Sequence, residues 1–262
     1  MRSVLTGMDD DILLETRDLT KEFAGFVAVS AVSLRVRRGT IHALIGPNGA
    51  GKTTFFNLLT RFLPATRGQS LYRGQDITRA RPADVARRGI VRSFQMSAVF
   101  PSLTVLENVR VALQRRLGTS FHFWRSEASL DELDARALEL LADVDLAAHR
   151  DHLAVELPYG RKRALEVATT LALEPELLLL DEPTAGMGHE DVGRVTALIE
   201  RVARDRTVLM VEHNLSVVSE LSDTITVLAR GSVLAEGPYD RIAQDPRVLE
   251  AYLGTAEPEA SA

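Results

Sequence analysis

An eight-residue stretch, residues 46–53, constrains the fold more than any other feature of the chain. Its sequence, G-P-N-G-A-G-K-T, fits the pattern G-x-x-x-x-G-K-[ST]. It follows a short apolar run at 41–45 and precedes an amphipathic pattern over 52–62, so it lies between a predicted strand and a predicted helix. Glycines let several backbone N–H groups turn inward as an anion-binding nest, and the helix adds its positive N-terminal end. The stretch therefore predicts a loop that binds the phosphates of a nucleoside triphosphate.

Two side chains of this loop have separate predicted roles. Lys52 is expected to bridge the β- and γ-phosphates, and Thr53 to offer its hydroxyl to Mg²⁺. The competing interpretation is a glycine-rich turn with an incidental lysine, which the strand-to-helix context disfavours. The motif alone leaves the reaction open. The predicted nucleotide-binding residues of this phosphate loop are Gly46, Pro47, Asn48, Gly49, Ala50, Gly51, Lys52, Thr53 and Thr54.

Two acidic residues, Asp181 and Glu182, follow a run of four leucines at 177–180. An acid at the end of a buried strand is costly unless a cation lies nearby. Asp181 is placed to hold Mg²⁺ through its water shell, and Glu182 to accept a proton from an attacking water. The alternative is that D-E-P simply ends a strand at a turn, and the upstream phosphate loop weakens that alternative.

Apolar runs typical of strands alternate with helical patterns along the chain, which predicts an α/β fold with a largely parallel sheet. With 262 residues, the chain can form one large domain or two closely packed lobes. The predicted strands cover 29–36, 41–45, 177–180, 207–211 and 224–228, and the clearest predicted helices cover 52–62, 190–204 and 214–221.

Composition narrows the class of protein. The chain has no cysteine, which excludes disulfides and cysteine-based zinc sites. Its net charge of −5 disfavours a general nucleic-acid binder. The four leucines at 177–180 are the longest purely aliphatic run, far short of the roughly 20 residues of a membrane span, and the N-terminus lacks the apolar core of a signal peptide. We therefore expect any membrane span to come from another chain.

Taken together, these motifs resemble the nucleotide-binding subunit of an ABC transporter over nearly the whole chain. The resemblance implies a P-loop NTPase (RecA-like) core with a small antiparallel β subdomain and a helical subdomain at about 104–172. It implies one nucleotide-binding domain over 1–254, and we expect the tail at 255–262 to be disordered.

The same resemblance assigns roles to residues that are unremarkable in isolation. Glu182 matches the catalytic base, His213 the switch histidine that also serves catalysis, and Gln95 a glutamine that joins Thr53 and Asp181 around Mg²⁺. Phe23 lies where an aromatic residue stacks on adenine. The signature loop, which touches the ATP of a partner subunit, comprises Leu157, Pro158, Tyr159, Gly160 and Arg161.

The resemblance also implies partners. Two ATP-binding subunits, identical or different, would face head to tail around two ATP molecules, on the cytoplasmic face of a membrane that holds separate permease subunits. A narrower pattern, with L-T-K-E-F-A-G-F-V-A-V near the start, P-Y-G in the signature loop and E-G-P-Y-D near the end, is similar to importers of branched-chain amino acids. Such a system would include a periplasmic or extracellular solute-binding protein.

The sequence departs from the usual pattern of the family at two positions. Pro158 replaces a serine whose hydroxyl reaches the γ-phosphate, and a charge-assisted hydrogen bond of this kind contributes about 1.5–3 kcal/mol. Gly188 replaces an aspartate in the loop that communicates between the two ATP sites. Near the signature loop, Lys162 and Arg163 are expected to be solvated. The aromatic cluster at 121–124, F-H-F-W, is expected to cap a helical core in preference to docking on a permease.

Other functions remain open at this point. A urea or amide importer shares much of the narrower pattern, and a lipid-exporting ATPase would use the same chemistry. A non-transport ABC protein is disfavoured by the single cassette and the acidic charge. A regulatory module that binds ATP without hydrolysing it is disfavoured by the intact Lys52, Asp181, Glu182 and His213.

Overall fold

The computed structural model describes residues 11–93, 99–116 and 127–253. Three predictions lie outside these residues: the metal role of Gln95, the packing of the aromatic cluster at 121–124, and the disordered tail at 255–262. In chain order the elements are β1 (Ile12–Phe23), β2 (Phe26–Arg37), β3 (Ile41–Ile45), α1 (Lys52–Leu59), β4 (Arg67–Tyr72), β5 (Gln75–Asp76), α2 (Pro82–Arg87), β6 (Ile90–Ser93), α3 (Val105–Arg116), α4 (Glu127–Asp143), α5 (Tyr159–Leu171), β7 (Leu177–Asp181), α6 (His189–Ala203), β8 (Thr207–Val211), α7 (Leu215–Leu221), β9 (Thr224–Ala229), β10 (Ser232–Gly237), α8 (Tyr239–Ala243) and α9 (Pro246–Leu253).

The central sheet has the order β10-β9-β3-β8-β7-β6. All neighbouring pairs are parallel except β10, which pairs antiparallel with β9 at the edge. The prediction of an α/β fold with a largely parallel sheet is therefore confirmed. Because the strands are parallel, the loops that leave β3, β7 and β8 all emerge at one end of the sheet, where the polar residues of the site are found.

Alternating side chains of the central strands contribute to two hydrophobic cores. Leu178 and Leu180 of β7 pack in one core with the helices α3 to α7. Leu177 and Leu179 pack in the other, with α1 and the long strands β1 and β2. The four leucines thus fill both faces of the sheet, because successive side chains of a strand point to opposite sides.

A second, antiparallel sheet has the order β2-β1-β4-β5. Of these four strands, the sequence pattern predicted only β2. Strand β1, with the sequence I-L-L-E-T-R-D-L-T-K-E-F, was not predicted. Its pairing with β2 has repeated register shifts, so apolar and polar positions do not simply alternate along it. The antiparallel β subdomain that the family resemblance implied is present.

Helices α3, α4 and α5 lie between β6 and β7 in the chain and pack against one another. Two short 3₁₀ turns, Ala147–His149 and Ala154–Glu156, lead into α5. Helix α1 is shorter than the predicted 52–62. It ends at Leu59, and Arg61 then adopts a left-handed backbone with φ of 63°, a conformation that commonly closes a helix.

Candidate nucleotide-binding and catalytic site

The phosphate loop links β3 to α1, and two of its glycines are required by the surrounding backbone. Gly46 has a φ of 147°, and a Cβ there would come within 2.1 Å of the Leu228 carbonyl oxygen. Gly51 has a φ of 99°, and a Cβ there would approach the Ala28 carbonyl oxygen to 2.5 Å. Any other residue would strain the backbone and displace a neighbouring strand. Strand β9 and the start of β2 therefore hold the loop in place on two sides.

Lys52 points into this loop. Its Nζ donates to the carbonyl oxygens of Gly46 and Pro47 at 2.6 and 2.9 Å, and its side chain is buried. Burial lowers the pKa of Lys52, and the charges of Glu182 and Asp181 oppose that shift. The lysine thus lies within electrostatic reach of both acids. Thr53, the next residue, is exposed at the first turn of α1.

Asp181 ends β7 and is buried with a cationic partner that the sequence did not reveal. The Arg92 guanidinium of neighbouring strand β6 pairs with the Asp181 carboxylate, and it also donates to the Asn57 side chain at 2.6 Å. Both members of the pair are almost fully buried. The positive charge of Arg92 compensates for the cost of burying an acid at the end of an apolar strand. Asn57 belongs to α1, so the pair connects the strand end to the helix that follows the phosphate loop.

Glu182 and His213 lie next to each other. Glu182 follows β7, His213 follows the adjacent strand β8, and Nε2 of His213 is 2.9 Å from Oε1 of Glu182. Glu182 has a left-handed backbone with φ of 49°, a strained conformation for a residue with a side chain that often accompanies a functional site. The structure therefore brings together the predicted base and the predicted switch histidine.

Glu212 is a buried residue that the sequence analysis did not single out. Its carboxylate accepts hydrogen bonds from the Thr184 hydroxyl and, at 3.0 Å, from the His213 backbone N–H. Burial raises the pKa of Glu212 to about 7, the negative charge of Glu182 adds to the rise, and the backbone hydrogen bonds from His213 and Thr184 oppose it. Glu212 thus connects the loop after β7 to the loop after β8.

The signature loop leads into the N-terminus of α5, which begins at Tyr159 with Pro158 as its N-cap. Pro158 provides no side-chain hydrogen bond to the helix end. The Tyr159 hydroxyl lies 3.4 Å from the Ala185 carbonyl oxygen, and a Cβ at Gly160 would lie 2.8 Å from Oδ1 of Asp191. Helix α5 therefore approaches α6 closely at Gly160, and a larger residue there would require the Asp191 side chain to move.

Arg163 corrects a prediction. We expected it to be solvated with Lys162, but Arg163 is 6% exposed whereas Lys162 is half-buried. Its guanidinium pairs with Glu166 at 2.6 Å and donates to the Asp181 carbonyl oxygen at 3.1 Å. The prediction failed because the basic run R-K-R looks like a solvated surface, whereas the helical period turns its third residue inward.

Phe23 lies at the end of β1, directly paired with Phe26 across a tight hairpin. Its side chain is 42% exposed, and Lys21 Nζ lies 4.9 Å from the centroid of its ring. Since β2 begins at Phe26 and Ala28 of that strand contacts Gly51, the hairpin is attached to the phosphate loop. An exposed aromatic ring in this place suits stacking on a planar base.

Tyr252 of α9 is a third residue, after Arg92 and Glu212, that sequence reasoning missed. Its hydroxyl accepts a backbone hydrogen bond from Gly46, the first residue of the phosphate loop. Burial raises the pKa of Tyr252, and this hydrogen bond opposes the shift. Gly46 is therefore held by Lys52 through its carbonyl and by Tyr252 on its other side. Tyr252 lies about two hundred residues beyond the loop in sequence, so no local pattern signals the contact.

The donor set suits a magnesium ion bound together with phosphates. No group of three or more histidine, cysteine or acidic side chains suited to a metal occurs within 11–93, 99–116 and 127–253. Mg²⁺ needs no such group, since it is commonly bound by one or two side chains, phosphate oxygens and water. The exposed Thr53 hydroxyl and the Asp181 carboxylate are oxygen donors of the required kind.

Comparison with known sequences identifies matching families and relatives. Residues 29–185 match the family described as ABC transporter, and residues 232–258 match the family described as branched-chain amino acid ATP-binding cassette transporter. The high-affinity branched-chain amino acid transport ATP-binding protein BraF of Pseudomonas aeruginosa is 39% identical over 254 residues, covering 93% of this chain and 98% of that protein. LivG of Escherichia coli K12, which has the same description, is 39% identical over 256 residues with the same coverage.

Solved structures agree with this grouping. The ADP conformation of MJ1267, an ATP-binding cassette of an ABC transporter, superposes with a TM-score of 0.82 at 30% identity and covers 93% of this chain and 99% of that one. A nucleotide-free ATP-binding cassette from an ABC transporter gives a TM-score of 0.80 at 29% identity, covering 92% and 98%.

Proposed function

The chain belongs to the family of ATP-binding subunits of ABC transporters, which are ATPases, and we propose that it powers import of branched-chain or other hydrophobic amino acids. The observation that carries the substrate class is the match of residues 232–258 to the branched-chain amino acid cassette family. These residues include β10, the edge strand of the central sheet, and helices α8 and α9, which pack against that edge. Helix α9 reaches the phosphate loop through Tyr252.

ATP is bound by the phosphate loop in this proposal. The backbone of residues 46–54 surrounds the phosphates, Lys52 turns from the loop carbonyls to the β- and γ-phosphates, and Phe23 stacks on the adenine. Thr53, Asp181 and Gln95 would hold Mg²⁺, which would neutralise charge on the phosphates.

Glu182 acts as the general base. Its carboxylate takes the proton of a water that attacks the γ-phosphate, and His213 holds that carboxylate through the 2.9 Å contact between Nε2 and Oε1. Proton transfer of this kind contributes about 10²–10⁴-fold to a rate. Asp181 precedes Glu182 and Glu212 precedes His213, and both of these preceding acids are buried and hydrogen-bonded. Their burial fixes the strand ends from which Glu182 and His213 project.

Two such subunits close head to tail on ATP in the proposed cycle. The signature loop of one subunit then faces the γ-phosphate held by the other, with Gly160 and the N-terminus of α5 providing backbone donors in place of the missing serine. We propose that α3 to α5, from about 104 to 172, form a helical subdomain within one domain over 1–254.

Permease subunits complete the system. The part of the chain that the structure describes contains no helix that is both long and apolar enough to span a bilayer. We propose that the protein and a second ATP-binding subunit bind peripherally to a permease at the cytoplasmic face of the membrane. A solute-binding protein serves the same permease on the opposite side. The comparisons do not favour a urea or amide importer, a lipid exporter or a non-transport ATPase.

The test is purification of the tagged chain from membranes, identification of its partner chains and reconstitution of the complex in vesicles. Leucine, isoleucine or valine, delivered with the solute-binding protein, should stimulate ATP hydrolysis and accumulate inside. Stimulation by urea or an amide without stimulation by these amino acids would contradict the substrate assignment, and outward movement of lipid would contradict import.

A further inference from the structure

We propose that Arg163 is a positioning residue that holds the peptide bond between Asp181 and Glu182, linking helix α5 to the base within one subunit. The inference rests on the proposed role of Glu182, and it adds a residue that the proposed mechanism does not use. Its basis is the position of the buried Arg163 guanidinium between helix α5 and the end of β7.

Arg163 lies three residues after Gly160, on the inward face of α5. Its Nη1 donates to Oε2 of Glu166 at 2.6 Å, and Glu166 is itself buried on the next turn of the same helix. The charge of the guanidinium is therefore balanced inside its own helix, as a buried cation requires. The second nitrogen, Nη2, points away from α5 and donates to the Asp181 carbonyl oxygen at 3.1 Å.

The peptide bond between Asp181 and Glu182 is consequently bonded on both sides. Its carbonyl oxygen accepts from Arg163, and its N–H, on Glu182, donates to the Val211 carbonyl oxygen at 2.9 Å. These two contacts fix the plane of the peptide from which Glu182 begins. Glu182 has the left-handed φ of 49°, a conformation that persists only when its surroundings hold it.

The position of the Glu182 carboxylate follows from this peptide plane. A rotation of the peptide would swing the side chain away from the 2.9 Å contact with His213. Because Arg163 moves with α5, a displacement of the signature loop is transmitted to that peptide. Arg163 therefore links the helix that follows the signature loop to the peptide bond that precedes the base of its own subunit.

A purely structural ion pair is the competing explanation, so the variants must remove the contact without leaving a buried charge. Arg163→Met combined with Glu166→Met replaces the pair by apolar side chains of similar volume, an exchange that often leaves stability unchanged. Arg163→Lys keeps the charge, but its single ammonium lacks the fork that serves Glu166 and Asp181 together. A matched control is Arg110→Gln with Asp134→Asn, which removes an ion pair between α3 and α4.

The experiment measures ATP turnover and ATP binding of the full-length chain, assembled with its permease, together with the thermal unfolding midpoint. We expect kcat to fall about tenfold or more in the Arg163→Met/Glu166→Met variant, with ATP affinity within about twofold of the unchanged protein. Arg163→Lys should lose roughly three- to tenfold in kcat, and the control pair should keep its turnover.

Additivity separates this inference from the assignment of the base. If Arg163 acts through Glu182, Arg163→Lys should cause no further loss of turnover in a Glu182→Gln background. An unchanged kcat in Arg163→Lys, or an equal further loss in the Glu182→Gln background, would overturn the inference and leave the base assignment intact. A Glu182→Gln variant with normal turnover would instead overturn the base. If the Arg163→Met/Glu166→Met variant does not fold, the turnover of Arg163→Lys tests the inference by itself.

Discussion

Nε2 of His213 lies 2.9 Å from Oε1 of Glu182, although the two residues are 31 positions apart and follow different strands. Strands β7 and β8 are parallel neighbours, so the loops that leave them meet at the same end of the sheet. The backbone N–H of Glu182 also donates to the carbonyl of Val211 at 2.9 Å, which joins the two loops a second time. This arrangement is the one that the proposed roles, a general base and the group that orients it, require.

Replacing His213 tests whether this contact serves catalysis. His213→Ala should lower kcat roughly a hundredfold while leaving ATP affinity unchanged, because it removes the group that orients the base and spares the phosphate loop. Phosphate release and calorimetric ATP binding measure the two effects. His152→Ala, at another exposed histidine, is the control. Normal turnover in His213→Ala would show that the contact plays no part in hydrolysis.

Tyr252 should contribute to ATP affinity from the C-terminal helix. Tyr252→Phe removes the hydroxyl that accepts from Gly46 and keeps the ring, so we expect ATP to bind about two- to tenfold more weakly, as for the loss of one hydrogen bond. The matched control is Tyr239→Phe, because Tyr239 packs against the same core. Equal ATP affinities in calorimetry for the two variants would contradict this role.

Glu212 should make stability depend on pH. Its folded pKa of about 7 lies above the ordinary value of 4.5, so the folded protein binds an extra proton between these values and loses unfolding free energy as pH rises through them. The unfolding free energy lost over this pH range is on the order of 3 kcal/mol. Glu212→Gln should abolish this decline.

Denaturant unfolding between pH 4.5 and 7 measures the difference between the two proteins. Buried His42, whose pKa is lowered to about 4 by burial, contributes in the opposite sense, since its stabilisation is lost as pH falls below 6.5. That contribution is common to both proteins and cancels in the difference. A constant difference over the whole range would show that Glu212 keeps an ordinary pKa.

Pro158→Ser restores the side chain that is usual in the family. Serine is also a favourable N-cap, so α5 should be stabilised by about 1 kcal/mol. The restored hydroxyl should tighten ATP-dependent dimer formation by roughly tenfold or more. Thermal unfolding reports the first effect, and sedimentation of a Glu182→Gln/Pro158→Ser protein with ATP reports the second. A stabilised helix with unchanged dimer affinity would mean that the hydroxyl never limited closure.

Much of the fold and of the site follows from local sequence patterns. The phosphate loop is one continuous stretch of sequence, and so is the pair of acids at the end of β7. Strand β8 matches its predicted bounds of 207–211. The parallel sheet was predictable because apolar runs alternate with helical patterns. Assignment of His213 needed the family resemblance, because a lone histidine after a strand carries no signal of its own.

Long-range contacts escaped prediction for a physical reason. Arg92 meets Asp181 and Tyr252 meets Gly46 because the sheet order brings distant segments together, which no periodicity within either segment encodes. The exposure of Arg163 was predicted wrongly because a charged residue is usually solvated. Its position on the inward face of α5 makes it buried instead. The signs available for such residues are their position in the helical period and a nearby acid on the same face, here Glu166.

The most direct test of the account is ATP turnover and binding in Glu182→Gln. The amide keeps the shape of the side chain and loses the basic oxygen, so kcat should fall at least about a hundredfold while ATP binds as tightly as before and holds the dimer closed. Phosphate release by the complex with its permease, measured beside ATP binding, gives both values. Turnover at the unchanged rate would show that Glu182 is not the base and would contradict the mechanism.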